Sequence, residues 1–202
     1  MAKIIRDDID RFFQYGIDIS TRTIYMGSHS AYDDGDSGVD HEMAEAVVKA
    51  LHILDTQAPN GDKPITIIMN NPGGDEYHGL AIFDAIKACK NHVVVKVFGY
   101  AMSMGSIILQ AADERIMAPN SRFMIHYGTW GVYDHPKIAY KWAEEGKKFD
   151  KWMIDLYLTK IREKHPKYPR KKVDEMCNFD TILNAKETVE LGLADEVLED
   201  DE

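Results

Sequence analysis

The sequence predicts an α/β fold built from parallel β–α–β units, and three observations carry that prediction. Short runs such as "ITIIMN" (65–70) and "VVVKVFG" (93–99) are almost wholly apolar, as strands buried on both faces are. They alternate with segments whose apolar residues recur every three or four positions, the helical period. The chain has 202 residues, 45% of them hydrophobic, which is enough for one well-buried core.

The elements follow in order. "DDIDRFFQYGIDI" (7–19) is a short amphipathic start. "TIYMG" (23–27) reads as a strand, and "SAYDDGDSG" (30–38) as a polar Gly/Asp loop. "VDHEMAEAVVKALHILD" (39–55) places Val39, Met43, Val47, Ala50, Leu51 and Leu54 on one face, so it reads as a helix with Asp40 as its cap. "ITIIMN" is a buried strand that ends in "NPGG", a turn signal. A helix over "YHGLAIFDAIKAC" (77–89) and the strand "VVVKVFG" come next. "SMGSIILQAADE" (103–114) reads as a third helix, "RIMA" (115–118) and "RFMIHYG" (122–128) as strands. From Lys137 to Lys164 the pattern becomes one long charged helix, with Ile138, Trp142, Phe149, Trp152, Met153, Leu156 and Leu158 on a broad apolar stripe. A helix of that length has too few neighbours in a domain of this size and is expected to project and pack on something, such as another subunit. "DTILNAKETVELGLADEVL" (180–198) reads as loop, helix, a Gly192 stop and a final strand.

Composition excludes several classes. Net charge is −10, with no Lys/Arg stripe, so a nucleic-acid partner is disfavoured. No apolar run is long enough to span a membrane, and no signal-peptide pattern opens the chain, so a cytoplasmic location is expected. Cys89 and Cys177 make no disulfide framework and are expected to be packing residues. Trp130, Trp142 and Trp152 are expected in the core or at an interface. No H-E-x-x-H and no G-x-x-x-x-G-K-[ST] occurs, so neither a zinc peptidase nor a nucleotide hydrolase is indicated. Asp33, Asp34 and Asp36 lack the spacing of a calcium loop.

Chemistry concentrates around "GYAMSMGS" (99–106). A strand turning sharply into a helix exposes its turn residue, here Ser103, beside free helix N–H groups. That placement suits a nucleophile whose product is an oxyanion, and "A-M-S-M-G" is one residue from the G-x-S-x-G elbow. Serine is also a preferred helix cap, so this fragment alone leaves both readings open. "NNPGG" (70–74) ends a neighbouring strand at the same sheet edge if the strands are parallel, and its glycines admit close approach of backbone N–H groups. A plain β–α turn explains them as well. His126 closes "RFMIH"; a third parallel strand would bring it beside Ser103, where its imidazole can take the hydroxyl proton.

Taken together, "NNPGG…GYAMSMGS…APNSRFMIHYG…FDTILNAKETVELGLADEVL" resembles the family of proteolytic subunits of the Clp protease (ClpP). The likeness runs from "FQYGIDISTRTIYMG" to "GLADEVL", and the four motifs are specific in combination. It implies the ClpP/crotonase-like β–α spiral with a projecting handle helix. The chain would be a single domain, with a head over about 15–135 and 178–198 and a handle over about 136–165. A short N-terminal segment (1–14) and an acidic tail (199–202) would complete it. By motif match Ser103 becomes the nucleophile, His126 the base and Asp180 the orienting carboxylate. The backbone N–H groups of Gly74 and Met104 become the oxyanion donors. Nothing local separates Asp180 from other acids; only the resemblance raises it above a helix-entry cap.

The implied activity is a serine endopeptidase that cleaves unfolded polypeptides or peptides by acyl transfer inside a ring chamber. The implied assembly is a homo-oligomeric heptameric ring, single or stacked in two, fed by a Clp-type AAA+ unfoldase. ATP would be used only by that partner, and no metal or organic cofactor is implied. Other readings are a crotonase-type acyl-CoA enzyme, whose glycine turns hold a thioester oxyanion, and a catalytically idle ring subunit. Departures from the family pattern mark a divergent member. Tyr127-Gly128 replaces Gln-Pro after the histidine. Asn71 replaces a serine, and Asn178-Phe179 an Asp-Arg pair. Lys96 interrupts an apolar strand on the unfoldase-facing surface, and the N-terminal gating segment looks short.

Overall fold

The computed structural model describes residues 6–27, 38–129 and 131–199. Most of the acidic loop, Trp130 and the end of the tail lie outside them. The described chain starts with α1 (Arg6–Tyr15), β1 (Ile17–Asp18) and β2 (Thr23–Met26), followed by α2 (His41–Gln57), β3 (Ile65–Asn71) and α3 (Glu76–Ala88). Then come β4 (Val93–Met102), α4 (Met104–Leu109), β5 (Glu114–Met117) and β6 (Arg122–Ile125). The C-terminal part holds α5 (Pro136–Lys164), α6 (Arg170–Cys177), β7 (Thr181–Asn184), α7 (Ala185–Leu191) and β8 (Glu196–Val197).

Local chemistry sets the helix ends. The Asp40 side chain accepts from the Met43 N–H and starts α2. Asn184 and Glu187 form a reciprocal capping box on α7, and Gly192, in the left-handed region, stops it. Two extents differ from the sequence expectation. The strand expected to stop at Gly99 continues to Met102, and α4 has six residues rather than twelve. Gln110 ends α4 with its side chain donating to the Ser106 and Leu193 carbonyls.

One mixed sheet of eight strands runs β1-β2-β3-β4-β5-β8, with β6 attached to β4 and β7 attached to β6. The β–α–β pairings are parallel, as expected; β1 with β2 and β6 with β7 are antiparallel. The segment from Thr181 to Asn184, expected as a loop, is the strand β7, and no alternation of buried and exposed residues announces it. Its reason to exist is the free edge of β6, whose backbone groups it satisfies.

β4 changes neighbour along its length. Val94–Val97 pair with β5, and Tyr100–Met102 pair with β6. Between them Gly99 takes φ +86°, a turn of the backbone that a side chain would resist. The α5 helix buries only its C-terminal half, through Met153, Ile154, Tyr157, Leu158 and Ile161. Its N-terminal half leaves Ile138, Tyr140 and Trp142 exposed, Tyr140 to 73%. Trp142 and Trp152 are therefore surface residues and not core. Trp152 packs edge-on against Phe83 at 5.5 Å.

β5 is tied to the C-terminal turn by a buried cation. The Arg115 side chain, 5% exposed, donates to both Asp195 oxygens, to Gln110 Oε1 and to the Gly192 carbonyl. Burial alone would push the Asp195 carboxyl up. The Arg115 hydrogen bonds and charge outweigh it and hold the group below its usual value. Asp195→Ala is expected to cost about 2–4 kcal/mol in urea unfolding, somewhat under a fully enclosed pair because Asp195 is 41% exposed. With the folded value depressed, the contribution stands above pH ~4 and fades as pH falls through the folded value. Asp195→Asn should flatten the acid limb of stability measured against pH.

Candidate active site

Ser103 sits between β4 and α4 with φ +50° and ψ −123°, a conformation few side chains adopt. Holding it there costs on the order of 1–3 kcal/mol. Hydrogen bonds at both ends of the residue hold it. Its N–H donates to the Met124 carbonyl at 2.9 Å. Its carbonyl accepts from the Ser106 hydroxyl at 2.6 Å, and that hydroxyl is 2.7 Å from the buried Tyr157 hydroxyl on α5. Ser103 occupies the cap position of α4 but makes no side-chain cap bond. The hydroxyl points elsewhere.

It points to His126: Oγ lies 2.8 Å from Nε2, and Nδ1 lies 2.9 Å from Asp180 Oδ1. Sheet register explains both contacts. Met102 pairs with Met124 in the parallel β4–β6 ladder, so the residues that follow both strands end side by side. Ile125 pairs with Thr181 in the antiparallel β6–β7 ladder, which sets Asp180 opposite His126. His126 stands one residue past the end of β6, not within it, and is anchored by the Tyr127 N–H donating to the Cys177 carbonyl at 2.7 Å. A carboxylate can only accept, so the Nδ1 side carries the ring proton and Nε2 is free to accept from the serine hydroxyl. The Asp180 side chain is 67% exposed, that of His126 only 23%.

The "NPGG" turn supplies the opposite wall. Buried Asn71 donates to the Gly27 carbonyl and accepts from the Gly73 N–H at 2.9 Å. The Gly73 carbonyl accepts from Val39, and Asp75 donates to the Val39 carbonyl. The turn is thus fastened at three points. Gly74 (φ +141°) and Met104, the first helical residue of α4, have N–H groups that make no hydrogen bond among the described residues. Both border a cleft of about 400 Å³ that also contains Ser103 and His126. Met104, Ile107, Phe149 and Met153 make much of its lining apolar.

The cysteines offer no competing nucleophile. Burial pushes the Cys89 thiol up to about 11 and the Cys177 thiol up to about 12, and both are free. Lys96 is half-buried between the fully buried Val95 and Val97. Among the described residues no helix is long and apolar enough to cross a membrane.

Sequence comparison fits this geometry. The family model for Clp protease matches residues 35–201. The chain belongs to the Clp protease family. It is 35% identical over 163 residues to a protein named ATP-dependent Clp protease proteolytic subunit from Deinococcus radiodurans, covering 80% of this chain and 76% of that one. Membership makes it a serine peptidase of the Clp type, with the α/β fold of that family.

Gly73 allows one check of how tightly the turn is built. A Cβ there would stand 2.6 Å from Ser103 Cβ and 2.9 Å from the Met104 nitrogen, at φ +104°. Gly73→Ala is expected to lower the melting temperature and to slow phosphonylation of Ser103 by a fluorophosphonate at least about 10²-fold, the effect of a misplacement near 1 Å.

Proposed function

We propose that Ser103, His126 and Asp180 act as one catalytic unit in an endopeptidase that cleaves unfolded polypeptides. The observation that supports it is the unbroken hydrogen-bonded line from Oγ through the imidazole to the carboxylate. His126 Nε2 takes the hydroxyl proton as Oγ adds to the peptide carbonyl, and the imidazolium then protonates the leaving amine. Asp180 holds the ring tautomer and offsets the imidazolium charge. The Gly74 and Met104 N–H groups receive the carbonyl oxygen as it becomes an oxyanion. One such donor is worth about 10²–10³ in rate. Water, deprotonated by His126, then releases the acyl group. The sequence of steps calls on no metal or organic cofactor.

The active assembly in this reading is a homo-oligomeric ring, heptameric and single or doubled, in the cytoplasm, with a Clp-type ATPase as its unfoldase. The exposed apolar residues on the N-terminal half of α5 favour it, because a projecting amphipathic helix with uncovered Ile138 and Tyr140 suits contact with another subunit. Light scattering is expected to give a particle of seven or fourteen chains, and Ile138→Asp with Tyr140→Asp a smaller one. A monomer in the unaltered protein would remove the chamber.

The chemistry is tested by point variants. Ser103→Ala and His126→Ala should each cut hydrolysis of a fluorogenic peptide by about 10⁴-fold or more, and Ser103→Ala should abolish labelling by a fluorophosphonate. Asp180→Asn should cost less, about 10²–10⁴-fold, because water already screens an exposed carboxylate. Labelling that survives in Ser103→Ala would refute the assignment.

A further inference from the structure

The cleft beside Ser103 has one feature that peptide-bond chemistry does not require. Two carboxylates from different helices border it: Glu76, in the first turn of α3, and Asp150, midway along α5. Both are half-buried, and among the described residues neither has a Lys, Arg or His partner within ion-pair distance. No described residue of the lining is Lys or Arg.

Ordinary structural duties account for the other acids of the lining but not for these two. Asp75 caps α3 by accepting from the His78 N–H. Glu145 pairs with Lys148 one turn along α5. Glu76 gains something from the α3 dipole, yet Asp75 already provides the cap. Asp150 lies in the middle of a 29-residue helix, where aspartate is a poor helix former with no end to cap. Each carries a burial cost, and no described hydrogen bond or ion pair compensates it. Burial and the charges of Asp150 and Asp75 push the Glu76 carboxyl up, and burial pushes Asp150 up.

The rest of the cleft shows what compensation it is built for. Met104, Ile107, Phe149 and Met153 give an apolar sleeve next to the carboxylates. A long aliphatic stem with a cationic head matches both surfaces at once: methylenes against the sleeve, charge between the acids. Ser103, Met104 and Gly74 border the same cleft, next to where an attacked carbonyl would stand.

We propose that this cleft takes a lysine or arginine side chain, on the residue that supplies the scissile carbonyl, with Glu76 and Asp150 as its counter-charges. The proposal rests on the peptidase reading of Ser103. It predicts cleavage after basic residues in preference to apolar ones.

The test uses diphenyl phosphonates, which phosphonylate an activated serine oxygen with loss of phenol, with either an arginine-type or a leucine-type side chain. Their rates of labelling Ser103 are compared in the full-length protein and in the Glu76→Gln, Asp150→Asn double variant, whose carboxamides keep the shape and remove the charge. The arginine-type probe is expected to react at least about tenfold faster than the leucine-type one, and that ratio to fall about tenfold or more in the double variant. A leucine-type probe that labels the unaltered protein as fast or faster overturns the proposal and leaves the peptidase reading standing. An arginine preference that persists unchanged in the double variant does the same. If neither phosphonate nor a small fluorophosphonate labels Ser103, the peptidase reading fails and the specificity inference fails with it.

Discussion

The contact between Ser103 Oγ and His126 Nε2 depends on β4 serving two partners in series. A strand with one neighbour along its whole length would end beside β5, far from the histidine. Because Gly99 turns the backbone, the last three residues of β4 leave β5 behind and take up β6. The ladder then fixes the relative height of the two strand ends to within a residue, and hydrogen bonds across a sheet are not easily slipped. The Ser103 hydroxyl and the His126 ring are thereby set by backbone register, before any side chain chooses a rotamer. The carboxylate is set in the same way, one ladder further out.

This arrangement concentrates strain at one residue and spreads the compensation widely. Ser103 is held in a left-handed conformation that a serine on its own would leave. Its N–H is fixed to β6, and its carbonyl to Ser106, which reaches the buried Tyr157 of α5. Ser103 is therefore braced by the sheet on one side and by the long helix on the other. Had the hydroxyl capped α4 in the usual manner, it would have served the helix and been lost to the histidine. The strained backbone aims it away from the helix N–H groups, and the same geometry leaves the Met104 N–H free.

Much of this was legible in the sequence, and the gaps have physical causes. Strands β3 and β4 announced themselves because one face is buried and the other half-buried over most of their length, so nearly every residue is apolar. Asp40 and Gly192 marked helix ends because caps need particular residue types. Ser103 and His126 were readable as candidates since each stands at the end of an apolar strand. Asp180 was not. It precedes β7, a four-residue strand whose formation is dictated by the open edge of β6 and not by its own pattern, so a segment of "TILN" reads as a loop. Only family resemblance pointed to the carboxylate. Glu76 and Asp150 were invisible for a related reason. They are 74 positions apart in "EYHG…FDKW", and nothing short of the folded cleft brings α3 and α5 to one wall.

The long helix also shows how one element can serve unlike surfaces. Its C-terminal half has a conventional buried face, with Tyr157 and Ile161 nearly or fully covered. Toward the middle the facing partner is no longer protein but the cleft, and the residues turned that way change from Met153 to Phe149, Asp150 and Glu145. Farther toward the N-terminus the covering stops, and apolar side chains stand in solvent. A single helical period runs through all three zones, so a rotation or shift of α5 relative to the head would move the cleft wall and the Tyr157 brace on Ser103 together. Anything that clamps the exposed half, a neighbouring subunit above all, acts on the shape of the cleft and on the aim of the Ser103 hydroxyl through the same rigid rod.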